Sequence, residues 1–217
     1  MIERINDATG PASMTKPAFM VICIDIHDDA AMQPYAAGAM PVLEAHGATV
    51  IAATNRIELE HGSWPRSRVV VIEFASLARA HSFWEAPEYA PLKSMREAIS
   101  DADIILVEGL LEDRIAAADG TPHYLLGAST VRDPGWVEEY MEKVPPVSAK
   151  FGVQALASGG EFEVLDGAWS HTSMVLLGFP SEQVFGDFWY GPEYRPMKEL
   201  REANSSGDHI SFPGVVE

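Results

Sequence analysis

Hydrophobic residues in the first half of the chain change repeatedly between the spacing typical of strands and that typical of helices. Short runs rich in β-branched residues predict strands, and longer stretches with a helical period predict helices. In chain order, the predicted elements are a strand over 19–27, a helix over 28–46, a strand over 49–59 with a break near Thr54 and Asn55, a strand over 69–74, a helical region over 77–98 and a strand over 104–108. This β-α-β-β-α-β order is the pattern of a ferredoxin-like unit, in which two helices cover one face of an antiparallel sheet.

The predicted strands are apolar on both faces. Met20, Ile22 and Ile24 share one face of the first strand, while Val21 and Cys23 share the other. Two helices can cover only one of these faces, so the second face must pack against another layer.

The chain repeats itself. Pro87-Glu88-Tyr89 recurs as Pro192-Glu193-Tyr194, and Phe83-Trp84 recurs as Phe188-Trp189, in each case 105 positions later. Without a gap, residues 17–110 and 122–215 share about 27 identities over 94 positions. A register without gaps indicates duplication of a complete folding unit, at a period too long for a solenoid.

The predicted architecture is therefore α+β, with two ferredoxin-like (βαββαβ) repeats over 17–110 and 122–215, joined by a linker over 111–121. We expect the bare sheet faces of the two repeats to pack on each other as an intrachain pseudo-dimer, because the linker holds them at high effective concentration. The rival arrangement pairs each repeat with a repeat of a second chain. Further association into a homodimer is compatible with the sequence and not required by it.

Two glycines are expected to end helices. Gly47 and Gly152 each follow a predicted helix and precede a strand, so both should adopt a positive φ. The candidate N-caps are Asp28 or Asp29 for the first helix, with Ser76 and Ser181 for later ones, since short polar side chains accept hydrogen bonds from the first amides of a helix.

Four motifs carry a resemblance to a known family. They are Glu58-x-x-x-Gly62-x-Trp64, Ile72-Glu73-Phe74, Pro87-Glu88-Tyr89 and Arg96. With them, the chain resembles the domain-of-unknown-function 1330 family, within the dimeric α/β barrel superfamily. The resemblance covers nearly all of both repeats. It implies ferredoxin-like units that dimerise through their sheets, here as a pseudo-dimeric α/β barrel within one chain.

This sequence departs from the resemblance at two places. Similar proteins carry Arg-Gly-Gly in the second strand, where the repeats have Ala53-Thr54-Asn55 and Ser158-Gly159-Gly160. Both repeats therefore lack the arginine, and with it one means of binding an anionic ligand. Glu73 of the first repeat is matched by Gly178 in the second.

Composition excludes several classes of function. The net charge of -17 is shared by both repeats, and such a field repels nucleic acids and anionic lipid surfaces. Cys23 cannot form an internal disulfide, residues 1–16 do not resemble a signal peptide, and no apolar run is long enough for a membrane span. We expect an acidic, soluble, cytoplasmic protein that binds neither nucleic acid nor membranes.

Three polar residues near the first repeat's apolar strands are candidate catalytic groups. Asp25 and His27 follow each other on one strand face and could form an acid/base pair, or could be an exposed strand end. Glu73 lies among apolar residues, so burial could raise its pKa and make it a general base. It could equally pair with an arginine or line a wet cavity.

The repeated aromatic and basic residues are candidate ligand contacts. Trp84, Tyr89 and Arg96 have the counterparts Trp189, Tyr194 and Arg201. These aromatic side chains could line a pocket between helix and sheet, or could belong to the core. The arginines could bind a ligand carboxylate, or could pair with Glu88 and Glu193.

No metal-binding spacing, phosphate-binding loop or cofactor fingerprint is present, so we expect neither metal nor cofactor. Two functions remain open. One is a small-molecule-binding or interaction protein without catalysis. The other, which the superfamily resemblance implies, is a cofactor-independent enzyme of the isomerase or monooxygenase kind that uses a pocket between sheet and helices.

Overall fold

A computed structural model describes residues 15–111 and 121–215 of the chain. The first repeat consists of β1 (Ala18–Ile26), α1 (Asp29–Ala45), β2 (Thr49–Thr54), β3 (Glu58–His61), β4 (Arg68–Phe74), α2 (Leu77–Trp84), α3 (Ala90–Ile99) and β5 (Ser100–Glu108). The second consists of β6 (His123–Val131), a 3₁₀ turn (Pro134–Trp136), α4 (Val137–Lys150), β7 (Gln154–Gly159), β8 (Phe162–Asp166), β9 (Ser173–Phe179), α5 (Glu182–Trp189), α6 (Arg195–Asn204) and β10 (Ser205–Pro213). The predicted α+β class and order of elements are confirmed. Most of the proposed linker, 112–120, lies outside the described residues.

Helix ends form where the sequence places their caps. The Asp28 carboxylate accepts hydrogen bonds from the amides of Ala30 and Ala31 at 3.0 Å each. Gly47 and Gly152 have φ values of 66° and 62°, which confirms the predicted helix ends. An L side chain is disfavoured in that conformation, so glycine lets each helix turn directly into the next strand.

The ten strands form two antiparallel sheets that exchange an edge. One sheet has the order β2-β4-β1-β5-β8 and the other β3-β10-β6-β9-β7. Four strands of each sheet come from one repeat, in the ferredoxin-like order. The fifth is an arm from the other repeat: β3 pairs with β10, and β8 pairs with β5. The break expected near Thr54 and Asn55 is present, and the chain beyond it crosses to the other sheet as β3.

A glycine turn closes each arm against the opposite repeat. At Gly62, φ is 74°, and an added Cβ would lie 2.5 Å from the Gly207 carbonyl oxygen. The Ser63 amide then donates to Asp208 at 2.8 Å. Gly167 makes the related turn against β5, where the Ala168 amide donates to Asp103 at 2.9 Å. This close approach explains the glycine in the repeated Gly-x-Trp motif.

The two sheets pack face to face within the chain. Val21, Cys23 and Leu126 belong to one buried cluster, and none of the three is more than 2% exposed. The expected intrachain packing of the bare faces is therefore confirmed. Burial of these apolar faces against each other supplies the third layer that each sheet needs. No helix of the described residues is both long and apolar enough to cross a bilayer.

Each repeat also has a core between its own helices and sheet. In the first repeat, Met20, Ile22, Ile24 and Ile104 pack with Leu43 of α1. In the second, the corresponding core is dominated by aromatic residues of β9, α5 and α6, including Phe179, Phe185, Phe188, Trp189 and Tyr194. The two repeats thus differ in how the space beneath their first helix is filled.

Candidate functional site

A cavity of about 550 Å³ lies between α4 and the sheet of the second repeat. Its walls are mainly apolar, with Trp136, Val137 and Val144 on the helix side and Val175 and Leu177 on the strand side. Polar groups gather at one part of the lining, where Tyr140, Tyr194, Arg201 and His209 are found. A volume of this size lies within the range of small-molecule sites.

The cavity results from substitutions between the repeats. At several positions, a large aliphatic residue of the first repeat is replaced by a smaller or polar residue in the second. The related pairs are Ile22 and Gly127, Ile24 and Ser129, Leu43 and Ser148, and Ile104 and His209. The four aliphatic side chains are all buried. Replacing such side chains without refilling their volume leaves a void.

Gly127 makes room for the imidazole of His209. A Cβ added at Gly127 would lie 2.7 Å from Cδ2 of His209, closer than two non-bonded carbon atoms can approach. The glycine of β6 and the histidine of β10 are directly paired across the sheet. The two replacements, Ile22 by Gly127 and Ile104 by His209, therefore depend on each other.

Two tyrosines and an arginine form a hydrogen-bonded chain at the polar part of the cavity. The hydroxyl oxygens of Tyr140 and Tyr194 are 2.9 Å apart, and Nη1 of Arg201 donates to the Tyr194 hydroxyl at 3.2 Å. Burial raises the pKa of Tyr194 well above its ordinary value, so this phenol stays neutral and is available as a hydrogen-bonding group.

His209 is a buried neutral imidazole. It is 2% exposed, and its Nδ1 atom has no hydrogen-bond partner among the described residues. Desolvation lowers the pKa of His209 to about 2, and the positive charges of Arg201 and Lys198 act in the same direction. A neutral imidazole has one N–H donor and one acceptor nitrogen. His209 can therefore hydrogen-bond a molecule in the cavity without carrying charge itself.

The family model described as a domain of unknown function, DUF1330, matches the chain twice, over residues 17–110 and 122–215. The chain belongs to the DUF1330 family. Two matches in tandem show that this member is a duplication of the DUF1330 domain. The chain matches none of the curated proteins.

Solved structures similar to this tandem DUF1330 protein share its fold. One, named "putative monooxygenase", from Fusobacterium nucleatum subsp. nucleatum, is 11% identical with a TM-score of 0.58, and the match covers 94% of each chain. A protein of the same name from Lactobacillus acidophilus is 12% identical with a TM-score of 0.52, covering 93% of this chain and 99% of the other. A mutant chlorite dismutase from Candidatus Nitrospira defluvii is 8% identical with a TM-score of 0.59, covering 94% and 93%. At such low identities, the similarity shows the fold alone.

The repeated residues of the DUF1330 motifs have different surroundings in the two repeats. Tyr194 and Arg201 line the cavity of the second repeat. Their counterparts, Tyr89 and Arg96, are buried in the filled first repeat. Arg96 pairs with Asp166 rather than with Glu88.

Glu193 also has a partner other than the expected arginine, since it pairs with Lys150. The repeated tryptophans belong to the helix-side packing. Trp189 is buried against Phe185 and carries the guanidinium of Arg201 at 5.1 Å from its ring centre. Trp84 is partly exposed, with Nζ of Lys93 over its ring at 4.0 Å.

The structure does not bring Asp25 and His27 together. Asp25 accepts hydrogen bonds from the amide and hydroxyl of Ser67 at 2.8 and 2.6 Å. His27 instead lies 3.0 Å from Asp101 at the surface. Glu73 lies near the end of β4, half-buried, where it pairs across the sheet with Phe19. None of these three residues lines the second-repeat cavity.

Sequence reasoning missed several residues of the cavity, among them Tyr140, Ser129 and His209. The signal was present in the alignment of the repeats. Each position where a buried aliphatic residue of one repeat is aligned with serine, glycine or histidine of the other marks a change in packing volume. Similarities between the repeats identified the fold, whereas their differences mark the candidate site.

Proposed function

We propose that this protein binds a small, predominantly apolar molecule in the cavity of its second repeat. The observation that carries this proposal is the cavity itself, which is absent from the related position of the first repeat because Ile24, Leu43 and Ile104 fill it. Buried polar groups at one part of the lining would orient such a molecule, and apolar walls would supply most of its affinity.

A thermal-shift screen with a set of small metabolites tests the proposal. Binding to the folded state raises the midpoint of unfolding, by an amount that grows with the logarithm of the ligand concentration relative to its dissociation constant. The double variant Ser129→Ile with Ser148→Leu gives the second repeat the residues of the first, so it should abolish the shift produced by any compound that binds the cavity. Glu142→Leu, which places an apolar side chain on the exposed side of α4, is the control and should preserve it.

The proposal fails if no compound shifts the wild-type protein, or if the shifts survive in the filled variant. In the second case, the compounds bind elsewhere on the molecule. Both outcomes are read from the same melting curves, provided that the filled variant still unfolds cooperatively.

A second candidate is a cofactor-independent reaction in the same cavity. Its support is the neutral imidazole of His209 near the cation of Arg201, since a base and a cation together can remove a proton and stabilise the resulting anion. A pKa of about 2 makes His209 a weak base, so binding is better supported than catalysis. Mass spectrometry of a bound compound after prolonged incubation tests this candidate, which is wrong if the compound is recovered unchanged.

A further inference from the structure

The two related arginines of the repeats have different charged partners. Arg96 is 1% exposed, and its Nη2 donates to a carboxylate oxygen of Asp166 at 2.6 Å. Asp166 belongs to the crossing arm β8 of the second repeat. The residue related to it by the repeat is His61, on the crossing arm β3 of the first repeat. The related position on β3 therefore carries an imidazole, whose Nδ1 lies 3.5 Å from Glu202, the residue that follows Arg201.

Arg201 retains unused hydrogen-bonding capacity. Its Nη1 donates to Tyr194 and its Nη2 donates to Glu202, each at 3.2 Å. A guanidinium has five N–H donors, so three remain. Glu202 does not serve Arg201 alone, because the same carboxylate oxygen is 3.5 Å from Nδ1 of His61. The guanidinium is nevertheless 7% exposed, so solvent has little access to the remaining donors.

Two cations act on His209 at the polar part of the cavity. The charges of Arg201 and Lys198 oppose its protonation, and Arg201 itself lines the cavity. Among the described residues, the buried Nδ1 atom of His209 has no hydrogen-bond partner. A buried polar atom without a partner is destabilising, and a ligand with a hydrogen-bonding group would remove that cost.

From these contacts we propose that the ligand of the cavity is a small monocarboxylic acid with a hydrocarbon body, whose carboxylate binds Arg201. The inference rests on the proposed function, since it names the chemical class of the molecule in that cavity. From the cavity, the ligand carboxylate gives Arg201 the kind of partner that Asp166 gives Arg96. His209 and the hydroxyl of Tyr140 lie in the same lining and supply neutral hydrogen bonds to it. The apolar walls enclose the hydrocarbon body.

Charge and planarity both favour a carboxylate over a neutral group. A guanidinium binds a carboxylate through two parallel N–H donors, and such charge-assisted hydrogen bonds are about twice as strong as neutral ones. Removing both charges from water strengthens their attraction further. An alcohol of the same shape would make the same apolar contacts with the cavity walls, but it would not form the charged pair with Arg201.

The test compares 2-naphthoate with 2-naphthylmethanol, which have the same ring system and differ in charge. Calorimetric titration at pH 7.5 measures both affinities for the wild-type protein and for His61→Asp, which gives Arg201 the carboxylate that Arg96 already has. We expect wild type to bind the acid at least tenfold more tightly than the alcohol. In His61→Asp, we expect the acid to lose at least tenfold while the alcohol changes less than threefold.

Two further variants keep the result interpretable. Arg201→Met removes the charge with little change in volume and should equalise the affinities of acid and alcohol. Asp166→His makes the mirror change on the arm that reaches Arg96, outside the lining of the cavity, and should leave both affinities unchanged.

The outcomes distinguish this inference from the proposed function. If acid and alcohol bind equally well to wild type, and the cavity-filling variant loses both, the cavity is a binding site and the inference about charge is wrong. If the acid binds tightly and His61→Asp does not weaken it, Arg201 is not its partner and the inference is also wrong. If no member of an aliphatic and aromatic acid series binds, the inference is wrong, and the metabolite screen decides separately whether the cavity binds a neutral molecule.

Discussion

Ser129 occupies the place on the cavity wall that Ile24 occupies in the first repeat, so exchanging these residues tests the origin of the cavity. Ser129→Ile adds three carbon atoms to a void and removes a hydroxyl. At about 0.8 kcal/mol per buried methylene, burial contributes about 2.4 kcal/mol. Ordering the isoleucine side chain costs about 0.5–1 kcal/mol. The net expectation is a stabilisation of about 1.5–2 kcal/mol.

The reverse change in the first repeat should be destabilising. Ile24 is 4% exposed and packs against Leu43 and Ile104. Ile24→Ser loses the same burial and opens a void in a filled core. Truncations of this kind cost about 2–5 kcal/mol, and the unpaired hydroxyl places Ser in the upper half of that range.

Urea unfolding, followed by tryptophan fluorescence and far-ultraviolet circular dichroism, measures both changes. With a slope of about 2–3 kcal/mol/M, Ser129→Ile should raise the midpoint by about 0.5–1 M at an unchanged slope. Because the two sites lie in different repeats, the effects should add in the double variant. A lowered or unchanged midpoint for Ser129→Ile would contradict the interpretation, since it would mean that the space beneath α4 cannot accept the side chain.

Three further experiments test the fold and the buried groups. Gly62→Ala should destabilise by about 2 kcal/mol or more in urea unfolding, because its Cβ meets backbone of the other repeat, whereas Gly47→Ala, with the same sign of φ and open space, should cost about 1 kcal/mol. His209→Ile should reduce the loss in the free energy of unfolding that follows a decrease in pH below 6.5. Cys23 should not react with a thiol reagent in the folded protein, because burial raises the pKa of its thiol.

The sign of the His209 effect follows from linkage. The unfolded chain binds a proton below about pH 6.5, and the folded protein does not until about pH 2, so stability falls as pH decreases between these values, by about 1.4 kcal/mol per pH unit. His27→Asn, which removes an exposed histidine and keeps the buried imidazole of His209, is the control and should retain the loss of stability below pH 6.5. Equal costs for the two glycine variants would argue against the close approach at Gly62. Rapid labelling of Cys23 without denaturant would argue against tight sheet packing.

The hydrophobic pattern determined most of the fold because its signals are local. Period-two runs gave the strands, Gly47 ended the helix, and the two-faced strand around Val21 required a second sheet. Duplication within the chain identified that second sheet. These inferences did not require knowing which residues distant in sequence are in contact, since the apolar residues on each face of a strand already indicate which faces are buried.

Tertiary structure alone decided where β3 and β8 pair and which residues surround the cavity. A short edge strand can pair with any exposed edge within reach, and its sequence does not state which. The environment of His209 depends on His61, Tyr194 and Arg201, which approach it only after the arms cross and α4 and α6 pack on the sheet. Arg96 and Arg201 have the same residue type and the same place in the repeat. They differ because β8 brings Asp166 to Arg96, whereas β3 has His61 at the related position and Arg201 pairs with Glu202.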